Sequence, residues 1–241
     1  MIDTIRFKVH LMPDQYPIIT KGFLRCPYMN KLGELKQREV GEIVFPPYGA
    51  KLSLLLYSDH PETLYVEGSL PKLWYGENMH LLYTSQLEPL LEFIYMAFIR
   101  RYESFSHYSL WEVQRLDICY AWRFPTQDEA TEVLKYAQTL DYPRKNKHPY
   151  GEESVDFGGS TSKIKFYLKL PEFKKKGFRD LLANKDIQLA VDTLKMSTGV
   201  LRYEITLRRK ALQSMLKKKS ITFMDCLDES KLCLLYTSRC V

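Results

Sequence analysis

Residues 200–208 read VLRYEITLR and alternate apolar with polar side chains along their whole length. Successive side chains of a β-strand point to opposite faces, so this segment has one apolar and one polar face. Residues 115–120, RLDICY, and residues 163–169, KIKFYLK, alternate in the same way. The sequence therefore predicts three strands that bury one face in a core and present polar groups on the other.

Strand and helix patterns also alternate along the rest of the chain, without the long apolar runs of a parallel sheet. The Pro-Pro-Tyr-Gly sequence at 46–49 is typical of a turn, and it predicts a hairpin. Apolar spacing and N-terminal residues predict two helices, and Leu, Val, Ile and aromatic residues predict the strands. The predicted helices are 86–103 and 126–140, with partly helical chain at 171–198. The predicted strands, including the three above, are 5–11, 42–45, 52–57, 64–67, 112–122, 154–157, 162–170 and 199–209. Residues 141–153 are predicted to be a loop. We expect an α+β fold in which helices pack on one face of an antiparallel sheet and the polar face stays open.

The composition is that of an ordinary globular protein, with 45% hydrophobic and 27% charged residues. The net charge of +6 is unevenly distributed, since residues 163–219 hold sixteen Lys and Arg against five Asp and Glu. Such a basic region favours a polyanionic partner, although a solvated surface has the same pattern. Five scattered cysteines without a Cys-x-x-Cys pair argue against a disulfide framework or a structural zinc site. No signal peptide or membrane-spanning run is visible, so we expect a cytoplasmic protein without a membrane partner.

The polar face of the three strands carries a set of side chains suited to phosphoryl transfer. Asp117 and Glu204 offer the oxygen ligands that Mg²⁺ or Mn²⁺ prefers, and Glu67 is a weaker third candidate. The Tyr167 hydroxyl is a candidate nucleophile. Nearby cations would position the DNA backbone and lower the pKa of the phenol; they are Arg115, Lys165, Lys169, Arg202 and Arg208. Half-exposed strands with surface ion pairs have the same alternation, so the pattern alone leaves a purely structural role open. No phosphate-binding glycine loop of the Gly-x-x-x-x-Gly-Lys type and no Gly-x-Ser-x-Gly elbow is present, so a kinase, a nucleotide hydrolase or an esterase has no support in the sequence.

Four short motifs follow one another along the chain. They are VEGSLPK at 66–72 with Gly76-x-Asn78 behind it, RLD at 115–117, KFYLK at 165–169 and LRYE at 201–204. In this order and spacing the motifs resemble the replication initiators of filamentous phages, the gene II/gene X family, and related rolling-circle plasmid initiators.

The resemblance implies that Tyr167 is the nucleophile, that Lys169 completes a Tyr-x-Lys motif, and that Asp117 and Glu204 bind the metal. It also implies that the protein nicks single-stranded or supercoiled origin DNA, leaving a 5′-phosphotyrosine and a free 3′-OH, and later rejoins the strand. Host helicase and polymerase would then be its partners. The chain departs from its relatives because the His-hydrophobic-His metal motif is absent, and because Leu168 stands where many plasmid relatives have an acid.

We expect residues 1–225 to form one replication-initiator nuclease domain, followed by a tail at 226–241. Residues 233–241, CLLYTSRCV, resemble a translated sequencing adapter, in which case the natural C-terminal region is missing. Three alternatives remain open. They are a catalytically inactive DNA-binding regulator of replication, a relaxase of a mobile element, and a structural α+β protein in which the three strands are not neighbours.

Overall fold

Ten strands form one antiparallel sheet in residues 2–30 and 32–227, which the computed structural model describes. The strands are β1 (Ile2–His10), β2 (Leu24–Met29), β3 (Leu35–Phe45), β4 (Ala50–Tyr57), β5 (His60–Ser69), β6 (Glu112–Arg123), β7 (Asn146–Tyr150), β8 (Ser154–Gly158), β9 (Ser162–Leu168) and β10 (Val200–Arg208). Their order across the sheet is β2-β3-β4-β5-β1-β6-β10-β9-β8-β7. The first and the last strands of the chain therefore lie at the centre, on either side of β6.

The helices connect these strands or follow them. They are α1 (Gln15–Thr20), α2 (Leu70–Tyr75), α3 (Leu87–Tyr102), α4 (Gln127–Thr139), α5 (Lys169–Glu172), α6 (Phe178–Ala183), α7 (Ile187–Ser197), α8 (Arg209–Leu216) and α9 (Phe223–Leu227). A π-helical turn at Phe173–Gly177 joins α5 to α6. No helix among the described residues has both the length and the apolarity needed to cross a membrane.

The main hydrophobic core lies between the apolar face of the sheet and the longer helices. On α3 the buried residues recur at helical spacing, as predicted: Leu87, Leu90, Leu91, Ile94 and Phe98. The ring of Phe7 on β1 stacks on Trp111, with 4.7 Å between the ring centroids. Helix α4 begins where predicted, because the Thr126 side chain accepts a hydrogen bond from the backbone N–H of Glu129 at 3.2 Å. The α+β fold and the large antiparallel sheet are thus confirmed.

Three features of the predicted fold are wrong. Residues 146–150 form edge strand β7, although their polar composition predicted a loop. The strand predicted at 162–170 ends at Leu168, and Lys169 is the first residue of α5. The polar side of the sheet also carries helix, since Lys169 at the start of α5 contacts Asn78 and lies near the ring of Tyr167. The segment α5–α7 has a second apolar cluster, of Phe173, Leu181 and Ala190, outside the main core.

The predicted open face is therefore partly covered. Chain from α5 and from residues 76–80 lies over one end of the polar face, where Tyr167 is buried. The predicted tail begins inside α9, since Cys226 is buried in that helix. The suspected adapter sequence at 233–241 lies outside the described residues.

Candidate active site

The register of β6, β10 and β9 brings the predicted polar residues onto one face. Glu204 on β10 lies opposite Cys119 of β6 on one side and opposite Lys165 of β9 on the other. Two residues along β10, Arg202 pairs with Tyr167. The three strands identified from their alternation are therefore adjacent in the sheet, and their polar side chains share a surface.

Tyr167 lies at the centre of this group and is only 5% exposed. Its hydroxyl donates a hydrogen bond to Glu204 Oε2 at 3.3 Å. Two ammonium groups lie close to the ring, since the Nζ atoms of Lys165 and Lys169 are 4.5 and 5.8 Å from its centroid. The expected lowering of the phenol pKa is nevertheless not found. Burial raises the pKa of Tyr167 well above its usual value, and this effect outweighs the lowering by Arg202.

Arg202 is fully buried rather than exposed to DNA. Its Nη1 donates to Asp3 Oδ2 at 3.2 Å, and its Nη2 donates to the backbone carbonyl of Asn78. The other oxygen of Asp3 accepts a hydrogen bond from the Ser69 hydroxyl at 2.9 Å. Arg202 therefore joins β10, β1 and the segment 76–80, and its guanidinium holds a positive charge beside Tyr167.

Lys169 is also fully buried, at the start of α5. Its Nζ donates to Asn78 Oδ1 at 2.9 Å and to Glu172 Oε2 at 2.6 Å. Burial and the neighbouring Arg202 lower the pKa of its ammonium group. Asn78 thus contacts both buried cations, one through its side chain and the other through its carbonyl. This contact gives the Gly76-x-Asn78 motif a structural role at the site.

Asp117 is buried and engaged by Arg115. The guanidinium donates from Nε to Asp117 Oδ1 at 2.9 Å and from Nη2 to Oδ2, while its Nη1 donates to Glu67 Oε1 at 3.0 Å. Burial raises the pKa of the Asp117 carboxyl, against the lowering effect of Arg115. Both oxygens of this predicted ligand therefore already accept hydrogen bonds from a cation. The same guanidinium forms an ion pair with Glu67, the weaker candidate for a metal ligand.

The remaining predicted cations lie toward the more open part of the face. Lys165 is partly exposed beside Tyr167. Arg208 is exposed, but its Nη1 donates to the carbonyls of Gly159 and Ser160 at 2.6 and 2.9 Å, which anchors that turn. Arg208 is six positions from Arg202 along β10, or about 20 Å along a strand. Arg208 therefore stands apart from the group around Tyr167.

Two residues that the sequence reasoning missed complete the group. Asp3, Cys119 and Glu204 each place one possible ligand atom within 4.8 Å of the others. Cys119 has the same parity along β6 as Arg115 and Asp117, so the alternation already placed it on the polar face. Asp3 could have been found only by extending the first predicted strand toward the N-terminus and by knowing that β1 pairs with β6.

The chain also matches a known protein family. The family model for the N-terminal part of the phage replication-associated protein, the gene II protein, matches residues 35–226, which is most of the chain. The chain belongs to this phage replication-associated protein family. The resemblance drawn from the four motifs is thereby confirmed at the level of the family. The matched range contains β6, β9 and β10, whereas Asp3 precedes it. No curated protein and no solved structure gives a significant match.

Proposed function

We propose that this protein initiates rolling-circle replication by nicking one strand of origin DNA, with Tyr167 as the nucleophile. One observation carries the proposal. In a member of a phage replication-associated family, the hydroxyl of Tyr167 donates to the Glu204 carboxylate at 3.3 Å, beside possible metal-ligand atoms on Asp3 and Cys119. A tyrosine hydroxyl next to a proton acceptor and a candidate cation site is the arrangement that covalent phosphoryl transfer requires.

In the nicking step, the Tyr167 oxygen bonds to the scissile phosphorus and the bond from phosphorus to the 3′ oxygen breaks. The Tyr167 hydroxyl, oriented by its hydrogen bond to Glu204, loses its proton, and the departing 3′ oxygen takes up a proton. The phosphotyrosine retains the energy of the broken phosphodiester, so no nucleotide is consumed. Arg202 and Lys169 stabilise the developing phenolate, because both bring buried positive charge to its surroundings. Rejoining reverses these steps when a 3′-OH attacks the phosphotyrosine.

The donor atoms of the site fit a divalent cation. Two carboxylates and a thiol converge within 4.8 Å, and Glu204 is partly exposed on the open side. A bound cation would polarise the scissile phosphate and offset charge in the transition state. Asp3 and Glu204 are the carboxylates we assign to it. Asp117, predicted from the sequence as a ligand, instead holds Arg115 toward the open part of the face, where Arg115 and Lys165 would bind the DNA backbone.

The test is a covalent-adduct assay on single-stranded DNA from the replicon that encodes the gene. Labelled overlapping fragments are incubated with the full chain and Mg²⁺, Mn²⁺ or Zn²⁺, then separated on a denaturing gel before and after protease treatment. We expect a protease-sensitive labelled adduct, and its loss in Tyr167→Phe. The matched control is Tyr203→Phe, which removes a hydroxyl from the opposite face of β10, where Tyr203 packs on Phe166 with centroids 4.9 Å apart. An adduct that persists in Tyr167→Phe would exclude Tyr167 as the nucleophile.

The burial of Tyr167 supports a second candidate, a DNA-binding regulator of replication that does not nick. It predicts that the fragments bind with strong salt dependence and that no adduct forms with any of the three cations. A relaxase would form the same adduct, so neighbouring transfer genes, rather than the gel, would distinguish it from a replication initiator. Host helicase and polymerase are proposed partners only of the nicking protein, because a free 3′-OH is what a polymerase extends.

A further inference from the structure

The thiol of Cys119 lies between two carboxylates in the polar face of the sheet. Its Sγ is 3.6 Å from Asp3 Oδ2 and 3.8 Å from Glu204 Oε2, and the side chain is fully buried. A thiol has a single hydrogen, so it can donate to only one of these oxygens at a time. At the other contact, the lone pairs of the sulfur face those of a carboxylate oxygen. A cation bound by both atoms would relieve this repulsion.

Of the carboxylates of Asp3, Asp117 and Glu204, only that of Glu204 lacks a close ion pair within the described residues. Asp3 is paired with Arg202, and Asp117 is paired with Arg115. Within the described part of the chain, no basic group lies within 4 Å of the Glu204 carboxylate, although it is largely withdrawn from solvent. Tyr167 donates a hydrogen bond to it, and Lys165 and Arg202 act on it from a greater distance. A bound cation would stabilise this mostly buried carboxylate further.

The two distances from the sulfur to the carboxylate oxygens match those in the ligand shell of a small tetrahedral ion. Zinc bonds of about 2.3 Å to sulfur and about 2.1 Å to oxygen, at the tetrahedral angle, place the two ligand atoms about 3.6 Å apart. The distances from Cys119 Sγ to the oxygens of Asp3 and Glu204 are 3.6 and 3.8 Å. An octahedral Mg²⁺ site has oxygen ligands at about 2.0–2.1 Å at right angles, and it seldom includes sulfur.

We propose that Asp3, Cys119 and Glu204 form a cation site that selects a thiophilic divalent ion of the Zn²⁺ class over Mg²⁺. Binding converts the Cys119 thiol to a thiolate and releases its proton to solvent. Three protein ligands leave a fourth position for water or a phosphate oxygen. Glu204 Oε2 also accepts the hydrogen bond from Tyr167, so the fourth position lies beside the proposed nucleophile. This inference deepens the proposed function. The role of the ion in catalysis rests on that function, whereas binding of the ion does not. The inference departs from the Mg²⁺ or Mn²⁺ expected from carboxylates alone.

The test is a Co²⁺ titration of the metal-free full chain, followed by absorption spectroscopy. We expect one Co²⁺ per chain, a near-ultraviolet thiolate-to-Co²⁺ charge-transfer band, and visible bands of a tetrahedral ion. A hundredfold excess of Mg²⁺ should leave the spectrum unchanged, whereas one equivalent of Zn²⁺ should remove it. Cys119→Ser should lose the charge-transfer band. The matched control Cys226→Ser should keep it, because Cys226 is an equally buried free thiol on α9.

A second variant keeps the test decisive if Cys119→Ser fails to fold. Glu204→Gln removes a ligand from the partly exposed side and should keep the band while weakening Co²⁺ affinity at least about tenfold, since loss of even an outer-shell partner costs that much. The proposal is overturned if no charge-transfer band forms, if the band survives in Cys119→Ser, or if Mg²⁺ displaces Co²⁺ at comparable concentration. The spectrum does not depend on DNA. A charge-transfer band without a covalent adduct would therefore support the cation site and refute nicking. A covalent adduct without the band would support nicking and refute the cation site.

Discussion

Removal of the buried guanidinium of Arg202 tests how the site is held together. Arg202→Met keeps an unbranched side chain of similar volume but leaves the Asp3 carboxylate, which is 4% exposed, without its cation. It also removes the donor to the Asn78 carbonyl. Breaking a buried ion pair on one side typically costs about 3–5 kcal/mol, because the remaining charge stays buried and uncompensated. We expect the free energy of unfolding to fall by that amount.

The assay is urea unfolding at neutral pH in the presence of a chelator, so that no added cation compensates Asp3. The double variant Asp3→Asn, Arg202→Met should recover much of the loss, since the unpaired charge is gone. The matched control is Arg25→Met, because Arg25 is exposed and pairs with Glu39 at a similar 3.0 Å. An exposed pair contributes at most about 1 kcal/mol. The reasoning fails if Arg202→Met costs no more than Arg25→Met, or if the double variant loses the sum of the two single effects.

Two other substitutions test the connections around the site. Gly199→Ala, just before β10, should destabilise the protein more than Gly151→Ala. Both glycines have positive φ, at 69° and 55°, which costs about 1–2 kcal/mol in alanine. Of the two, only Gly199 would place its new Cβ close to a backbone oxygen, 2.5 Å from that of Phe124. Equal melting temperatures for these two variants would contradict this packing. Glu77→Ala should cost about 1–3 kcal/mol and slow adduct formation, because the buried Glu77 carboxylate accepts hydrogen bonds from two backbone N–H groups of the segment that carries Asn78. Adduct formation at the wild-type rate would show that this segment does not position the site.

Local patterns predicted most of the secondary structure. The alternation in β6, β9 and β10 fixed which side chains share a face, because the period of two is a property of each strand by itself. The turn at 46–49 joins β3 to β4 as its composition predicted. Edge strand β7 was missed because its mostly exposed, polar residues show no apolar alternation, although its backbone pairs with β8. Lys169 was placed in a strand because the alternation continues past Leu168, where α5 begins.

The candidate site could be predicted only in part. The sequence singled out Tyr167 and Glu204, which the structure places in hydrogen-bond contact. It could not show that Arg115 engages both oxygens of Asp117, because that depends on the rotamers of two side chains on the same face. Nor could it show that burial outweighs the neighbouring cations in setting the pKa of Tyr167.

The sequence by itself therefore determined the strands, the polarity of their faces and the family of this protein. Only the tertiary structure decided that β10 lies between β6 and β9 and that β1 pairs with the other edge of β6, which brings Asp3 to Cys119 and Glu204. It also decided that residues 76–80 and α5 cover Tyr167. The physical reason is the distance along the chain over which each effect acts. Alternation and turn chemistry act between neighbours in the chain, whereas strand order, burial and ion pairing depend on residues that are distant in sequence and meet only when the core packs.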